Sequence, residues 1–364
     1  MDQDGSRSNP DIAELSKQGY QLLKESLTER AAELFRRILE IEPENNYALV
    51  GLGDAYRKER RYHEAMDYYR ACLDHHPGNN YALFGLADCH KALGEFNRAI
   101  DVWEEYLRYD DGNVTILTRI ADAYRKVRNL PRSRELYLKV LDLDADNAYA
   151  LIGLGHLHYD FKEYETALEY WHRMERHGGR RIDIRVLTSI GNCYRKLKRF
   201  DEGIPYFERA LEMQSGNFYA LFGMADCYRG TNRPDLSLEY WNRILEKDPE
   251  NKVILTRAGD AYRNLGNLEQ AGRCYTDALA IDFDLYAALG LALIDKAEDR
   301  FAEAAEALDR LLERDPRNHR LAIEAAECRA ALGERDEARR LIDGCREAGM
   351  SEASADEVLA RLGL

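Results

Sequence analysis

Small and large apolar residues recur along this chain with a single period. A small residue heads one amphipathic stretch after another: Ala31, Ala65, Ala99, Ser133, Ala167, Gly203, Ser237, Ala271, Ala304 and Ala338, at separations of 33 to 36 residues. Four places later stands a large one, Phe35, Tyr69, Trp103, Tyr137, Trp171, Phe207, Trp241 and Tyr275, weakening to Leu308 and Ile342. A second series of small residues precedes each pair: Gly19, Gly53, Ala87, Ala121, Gly155, Gly191, Ala225, Gly259, Ala292 and Ala326. Apolar positions three and four apart mark helices, so each period predicts two amphipathic helices in a hairpin. Small residues let the two helices approach, and the aromatic fills the gap above them. One hairpin leaves apolar faces open, so neighbours must stack to bury them. Asn45, Asn79, Asn113, Asn147, Asn217, Asn251 and Asn318 stand where N-caps belong, and Pro43, Pro77, Pro249 and Pro316 end the preceding helices.

Within one period, Leu49, Leu52, Gly53 and Tyr56 are spaced L-x-x-L-G-x-x-Y, followed by Ala65, Tyr69 and Pro77. This pattern resembles the tetratricopeptide repeat (TPR) family, with Leu in place of the first Trp. The resemblance covers about residues 12 to 348 and implies an all-α, right-handed superhelical solenoid of about ten helical hairpins plus a C-terminal capping helix. Residues 1–11 are expected to be disordered, 12–177 to hold repeats one to five, and 184–348 repeats six to ten. The segment 349–364, capped by Ser351, is expected to cover the last repeat, whereas Ile12, Leu15 and Leu22 of the first repeat are expected to form a sticky end. The single 36-residue spacing falls at a Gly178-Gly179 insertion (178–183), open to two readings: a tolerated loop extension or a hinge.

The first helices follow a two-repeat rhythm. YALFGLADC from Tyr81, YALIGLGHL from Tyr149, YALFGMADC from Tyr219 and YAALGLALI from Tyr286 alternate with ILTRIADAYR from Ile116, VLTSIGNCYR from Val186 and ILTRAGDAYR from Ile254. The one exception is YALVGLGDAYR from Tyr47, which is of the Tyr81 type. The unit of duplication is therefore read as two hairpins. In the family, the first helix of each hairpin lines the concave side, and the resemblance implies the same here. One lining column then holds Tyr47, Tyr81, Tyr149, Tyr219 and Tyr286. The next holds Val50, Phe84, Ile152, Phe222 and Leu289, alternating with Thr118, Thr188 and Thr256; one residue on, glycines alternate with Arg119, Ser189 and Arg257. A fourth is Asp54, Asp88, Asp122, His156, Asn192, Asp226 and Asp260; a fifth is Arg57, Lys91, Arg125, Tyr159, Arg195, Arg229 and Arg263. The last two lie three residues apart, so each Asp is expected over its own Arg or Lys, in pairs worth about 0.2–0.5 kcal/mol each. They read either as a self-neutralising ladder or as a grip on a partner. Some TPR proteins hold a chaperone's C-terminal carboxylate with Lys and Asn on the first helices. Here those places carry Val50, Phe84 or Thr118, and Asp54, Asp88 or Asp122, so that clamp is not expected.

Composition narrows the picture further. The chain has 364 residues, a charged fraction of 32% and only 8 prolines, which suits helices. A net charge of −14, with basic residues interleaved among acidic ones, speaks against nucleic-acid binding. No apolar run approaches the roughly 18–20 residues of a membrane span, and direct membrane insertion is not expected. The seven cysteines lie at repeat intervals without C-x-x-C spacing and read as reduced, buried thiols, with Cys89, Cys193, Cys227 and Cys328 in one spacer column. His90 and His158 stand where the repeat has tyrosine and read as packing residues; no phosphate-loop, nucleophile-elbow or zinc-protease motif is present. The expectation is a non-enzymatic, cofactor-free and metal-free scaffold or adaptor in the cytoplasm, or outside it if a signal was removed. It would bind a protein or peptide segment along the concave columns. The alternative is a structural protein that self-associates through its terminal repeats.

Overall fold

The computed structural model describes residues 11–178 and 182–364. The described residues form 21 helices and no strand. They divide into two compact units, Met1–Arg181 and Ile182–Leu364. The first unit holds α1 (Ile12–Lys24), α2 (Thr28–Leu39), α3 (Asn46–Lys58), α4 (Tyr62–His75) and α5 (Asn80–Ala92). It continues with α6 (Phe96–Tyr106), α7 (Val114–Lys126), α8 (Leu130–Leu143), α9 (Ala148–Asp160) and α10 (Tyr164–Gly178). The second holds α11 (Ile184–Lys196), α12 (Phe200–Met213), α13 (Phe218–Gly230), α14 (Pro234–Leu245), α15 (Lys252–Asn264) and α16 (Leu268–Ile281). It ends with α17 (Leu285–Ala297), α18 (Phe301–Arg314), α19 (His319–Ala331), α20 (Arg335–Glu347) and α21 (Glu352–Leu362). The N-terminal segment to residue 10, and residues 179–181 of the expected hinge, lie outside the described residues.

Helix starts follow from side-chain chemistry. Asn45, Asn79, Asn113, Asn147, Asn217, Asn251 and Asn318 each accept a hydrogen bond from the backbone N–H three residues on, as Asn45 does from Ala48 at 3.0 Å. Each thereby satisfies one donor that the first turn leaves unpaired. Ser351 caps α21 in the same way, from Ser354 N at 3.2 Å. Inside each hairpin the tight turn needs one residue at positive φ: Gly94, Gly266 and Gly333 in three, but Ser26, Arg60, Arg128, Lys162, Lys198, Asn232 and Asp299 in the others.

The aromatic series forms the core. Phe35, Tyr69, Trp103, Tyr137, Trp171, Phe207, Trp241 and Tyr275 are all fully buried. Where the small residue opposite is Ser133 or Ser237, its hydroxyl donates to Ala121 O or Ala225 O at 2.8 Å, so neither hydroxyl is stranded. The expected sticky end is packed instead. Leu15 is buried in the first cluster, with Ile12 and Leu22 half-buried against it, because α1 also packs on α3.

The two-repeat rhythm has a steric cause. A Cβ at Gly85 would sit 2.2 Å from Tyr69 Cζ of the preceding repeat, and at Gly153 2.3 Å from Tyr137 Cζ. Gly51 meets Phe35, Gly223 meets Phe207 and Gly290 meets Tyr275 in the same way. The tyrosine and phenylalanine rings thus reach across the repeat boundary, and only glycine leaves them room. Trp171 and Trp241 pack within their own hairpins, edge-on to His156 at 5.5 Å and to Phe222 at 5.2 Å. After Trp103, Trp171 and Trp241 the glycine position carries Arg119, Ser189 and Arg257. The buried aromatic of one repeat therefore decides whether the next first helix carries a side chain there.

Candidate functional site

In the first unit α1 packs on α3, α3 on α5 and α7 on α9; in the second, α11 packs on α13, α15 on α17 and α19 on α21. Second helices have no comparable packing on one another among the described residues, so in each unit the first helices are the more closely spaced row. Each tyrosine of the first column is the second residue of its helix, next to a fully buried alanine such as Ala48 or Ala82. The helical turn that buries the alanine turns the tyrosine outward. Tyr47, Tyr81 and Tyr149 in the first unit, and Tyr219 and Tyr286 in the second, are between 62% and 78% exposed.

The second expected column is mostly closed. Val50 and Leu289 are buried, and the threonines turn inward: Thr118 Oγ1 donates to Val114 O at 2.7 Å, and Thr188 and Thr256 likewise bond the carbonyl four residues back. Phe84, Ile152 and Phe222 are half-buried. Phe218, which the column pattern overlooks, is exposed beside Tyr219 (5.8 Å) and Phe222 (6.0 Å), giving α13 a small aromatic cluster.

The charged columns differ from a ladder of own-repeat pairs. Asp54 does pair with Arg57 at 2.9 Å, and it also accepts from Tyr69 OH at 2.8 Å. Arg57 Nε donates to the same hydroxyl at 3.1 Å while its guanidinium reaches Asp88 of the next repeat at 3.6 Å. Asp88 accepts from Arg119 of the repeat after at 2.5 Å, and that guanidinium lies 4.6 Å over the Phe84 ring. Asp122 accepts from Tyr137 OH at 2.5 Å, and Arg125 turns to Asp160 at 3.1 Å. In the second unit Asp226 is buried between Arg195 of the preceding repeat and its own Arg229, both at 2.6 Å, and Arg195 lies 5.7 Å over the Phe222 ring. Asp260 accepts from Tyr275 OH at 2.8 Å. The pairing crosses repeats because the first helices are close neighbours and an arginine spans the gap between them. His156 packs edge-on against Trp171, so the gap in the Asp column is filled by ring packing.

Electrostatics follows from this geometry. Burial alone would raise the Asp226 carboxyl; hydrogen bonds from Arg229 and Arg195 outweigh it and hold the group below the usual carboxylate range. Burial pushes the Cys89 and Cys227 thiols up to about 12 and Cys72 up to about 11, which suppresses the nucleophilic thiolate. His90 and His158 are buried, with Nδ1 against Glu95 and Glu163 at 2.6 Å. Among the described residues no group of His, Cys, Asp and Glu could hold a metal ion, and no helix is long and apolar enough to cross a membrane.

Models described as tetratricopeptide repeat match residues 17–80, 56–115, 118–175, 184–217, 219–251, 254–285 and 296–362. The chain belongs to the tetratricopeptide repeat family. TPR proteins bind protein or peptide partners and are generally non-enzymatic scaffolds. No curated protein matches this one. Among solved structures, the C-terminal part of a TPR repeat-containing protein from Cytophaga hutchinsonii matches with a TM-score of 0.57 at 18% identity, over 66% of this chain and 99% of that part. A tetratricopeptide repeat protein from Parabacteroides merdae matches with a TM-score of 0.51 at 14% identity, over 78% of this chain and 99% of its own. PilW, a widely conserved type IV pilus biogenesis factor, matches with a TM-score of 0.50 at 16% identity, over 55% of this chain and 92% of its own. At these identities the likeness is one of fold alone.

Proposed function

We propose that this TPR protein is a scaffold or adaptor whose units hold an extended segment of a partner protein against the tyrosine row of the first helices. The observation that carries the reading is the exposure of Tyr47, Tyr81, Tyr149, Tyr219 and Tyr286 beside fully buried alanines. Large aromatic side chains facing water at helical register, flanked by arginines, are what a protein interface uses as anchors. The Asp, Arg and Tyr network behind them fixes the first helices and leaves the rings free to engage a ligand. A cytoplasmic setting suits the seven free thiols. Self-association through the first repeat has less support, because Ile12, Leu15 and Leu22 are packed rather than free.

The test is a phage-displayed peptide library panned on the full chain, with the enriched peptides then titrated against wild type and a Tyr81→Ala, Tyr149→Ala, Tyr219→Ala variant. The expected result is loss of at least tenfold in affinity with unchanged helicity, since an aromatic hot spot contributes about 2 kcal/mol. Equal affinity for the variant would refute the reading.

A further inference from the structure

We propose that the second unit carries an oxyanion site for acidic side chains of the bound segment, formed by Arg257, Arg263 and Arg320 next to Arg229. It rests on the groove reading above and adds the chemistry of the ligand.

Two pairs of repeats with nearly the same residues make the comparison. In α5 and α7 the positions are Phe84, Asp88, Lys91, Arg119, Asp122 and Arg125; in α13 and α15 they are Phe222, Asp226, Arg229, Arg257, Asp260 and Arg263. In the first pair both arginines of α7 are neutralised, Arg119 by Asp88 at 2.5 Å and Arg125 by Asp160 at 3.1 Å. In the second pair neither arginine makes the equivalent ion pair. Asp226 pairs with Arg195 and Arg229, each at 2.6 Å, and Arg257 makes no ion pair with it. Ala297 stands where Asp160 stood, so Arg263 has no carboxylate there; its side chain hydrogen-bonds Tyr275, and its Nε, like that of Arg125, is buried without a partner. Arg320 is the second residue of α19, the place that tyrosine holds in α3, α5, α9, α13 and α17, and it is exposed.

These side chains share one cavity of about 220 Å³, whose lining holds four arginines, 229, 257, 263 and 320, against one carboxylate, Asp260. Asp260 already accepts from Tyr275 OH at 2.8 Å. Among the described residues no ion pair is made by Arg257, Arg263 or Arg320. Four guanidinium groups facing a shared space with a single carboxylate leave N–H donors in surplus, and a guanidinium binds a planar oxyanion in bidentate fashion. The size of the space fits one or two carboxylates. The net charge of the chain is −14, so its overall field repels acids; at about 0.15 M salt that field is screened beyond roughly 8 Å, and recognition falls to the local cluster. Arg320 in the tyrosine position sets the site in line with the row that holds the segment. An acidic stretch of a protein ligand is the occupant that satisfies both features.

The experiment is fluorescence anisotropy with a fluorescein-labelled, N-acetylated and C-amidated tetraglutamate peptide and the full-length chain at about 0.15 M NaCl. Wild type is expected to bind it and to ignore tetraglutamine. The Arg257→Ala, Arg320→Ala double variant is expected to lose at least tenfold, and Arg257→Gln, Arg320→Gln repeats the result with less loss of side-chain packing. Arg119→Ala, which removes the neutralised counterpart, is expected to leave binding unchanged. No binding by wild type, or equal binding by both double variants, overturns the proposal. Displacement of the peptide by inorganic phosphate at lower concentration than by glutarate also overturns it, because the site then belongs to a phosphoryl group. If library peptides still depend on the tyrosines while tetraglutamate ignores the arginines, the anion site alone has failed. If no library peptide depends on the tyrosines, the groove reading has failed, whatever tetraglutamate does.

Discussion

Substituting Gly85→Ala tests whether buried aromatics dictate the two-repeat rhythm. In the interior of α5 this change should by itself stabilise, since alanine is favoured over glycine by about 1 kcal/mol in a helix. The added methyl, however, would lie 2.2 Å from Tyr69 Cζ and 2.6 Å from its hydroxyl oxygen. Tyr69 is fully buried and its hydroxyl is fixed to Asp54 at 2.8 Å and Arg57 at 3.1 Å, so the ring cannot swing away without breaking both bonds. Overpacking of this kind costs about 1–3 kcal/mol, and a lost hydrogen bond to a charged group about 1.5–3 kcal/mol more. The sum outweighs the helix gain, and a net loss of about 1.5–5 kcal/mol is expected. Gly344→Ala in α20 is the control: nothing lies within 4 Å of its added methyl, so it should gain about 1 kcal/mol. Urea unfolding followed by circular dichroism reads both, with midpoints compared because stacked repeats need not unfold in one step. Tyr69→Leu, which shortens the ring as Leu308 does ahead of Glu324, should narrow the penalty of Gly85→Ala in a double-mutant cycle. If Gly85→Ala were as stable as Gly344→Ala, the steric account of the alternation would be wrong.

Asp226→Asn should cost about 2 kcal/mol near neutral pH, because two arginines lose a buried charged acceptor. The folded state holds this carboxyl below its usual range. Its stabilisation is therefore complete above the unfolded value of about 3.9 and lost as pH falls through the folded value. The gap between wild type and variant should be constant above about pH 5 and close in stronger acid; a gap that widened there would contradict the pairing. Lys162→Gly, at φ 65° in the α9–α10 turn, should stabilise by about 0.5–1 kcal/mol by relieving the left-handed backbone, and thermal unfolding would show it as a raised midpoint; no rise would mean the turn is unstrained.

Much of the fold was legible in the residues. The small and aromatic series located the hairpins, and the seven asparagines located helix starts, because capping needs only a side chain and the N–H three residues away. The tyrosine row was legible for the same local reason: a residue beside a buried alanine on a helix must point elsewhere. The positive-φ turn residues were less so, since Arg60, Arg128, Lys162 and Lys198 carry no glycine signal. The part played by Tyr69, Tyr137 and Tyr275 in the charged columns was also missed, although a signal existed: these rings have a hydroxyl where Trp and Phe have none.

Periodicity in the sequence by itself determined the helical repeat, its caps, its core residues and the glycine that follows each buried Tyr or Phe. Each of these depends on spacing along one helix or between adjacent ones, and spacing is written in the order of residues. Only the tertiary structure decided which charges are neutralised. Arg119 and Arg257 occupy equivalent places, yet the first pairs with Asp88 while Asp226 pairs with Arg195 and Arg229 and not with the second. An arginine can reach acids in its own repeat or the next, and which it takes depends on competitors brought in from neighbouring hairpins.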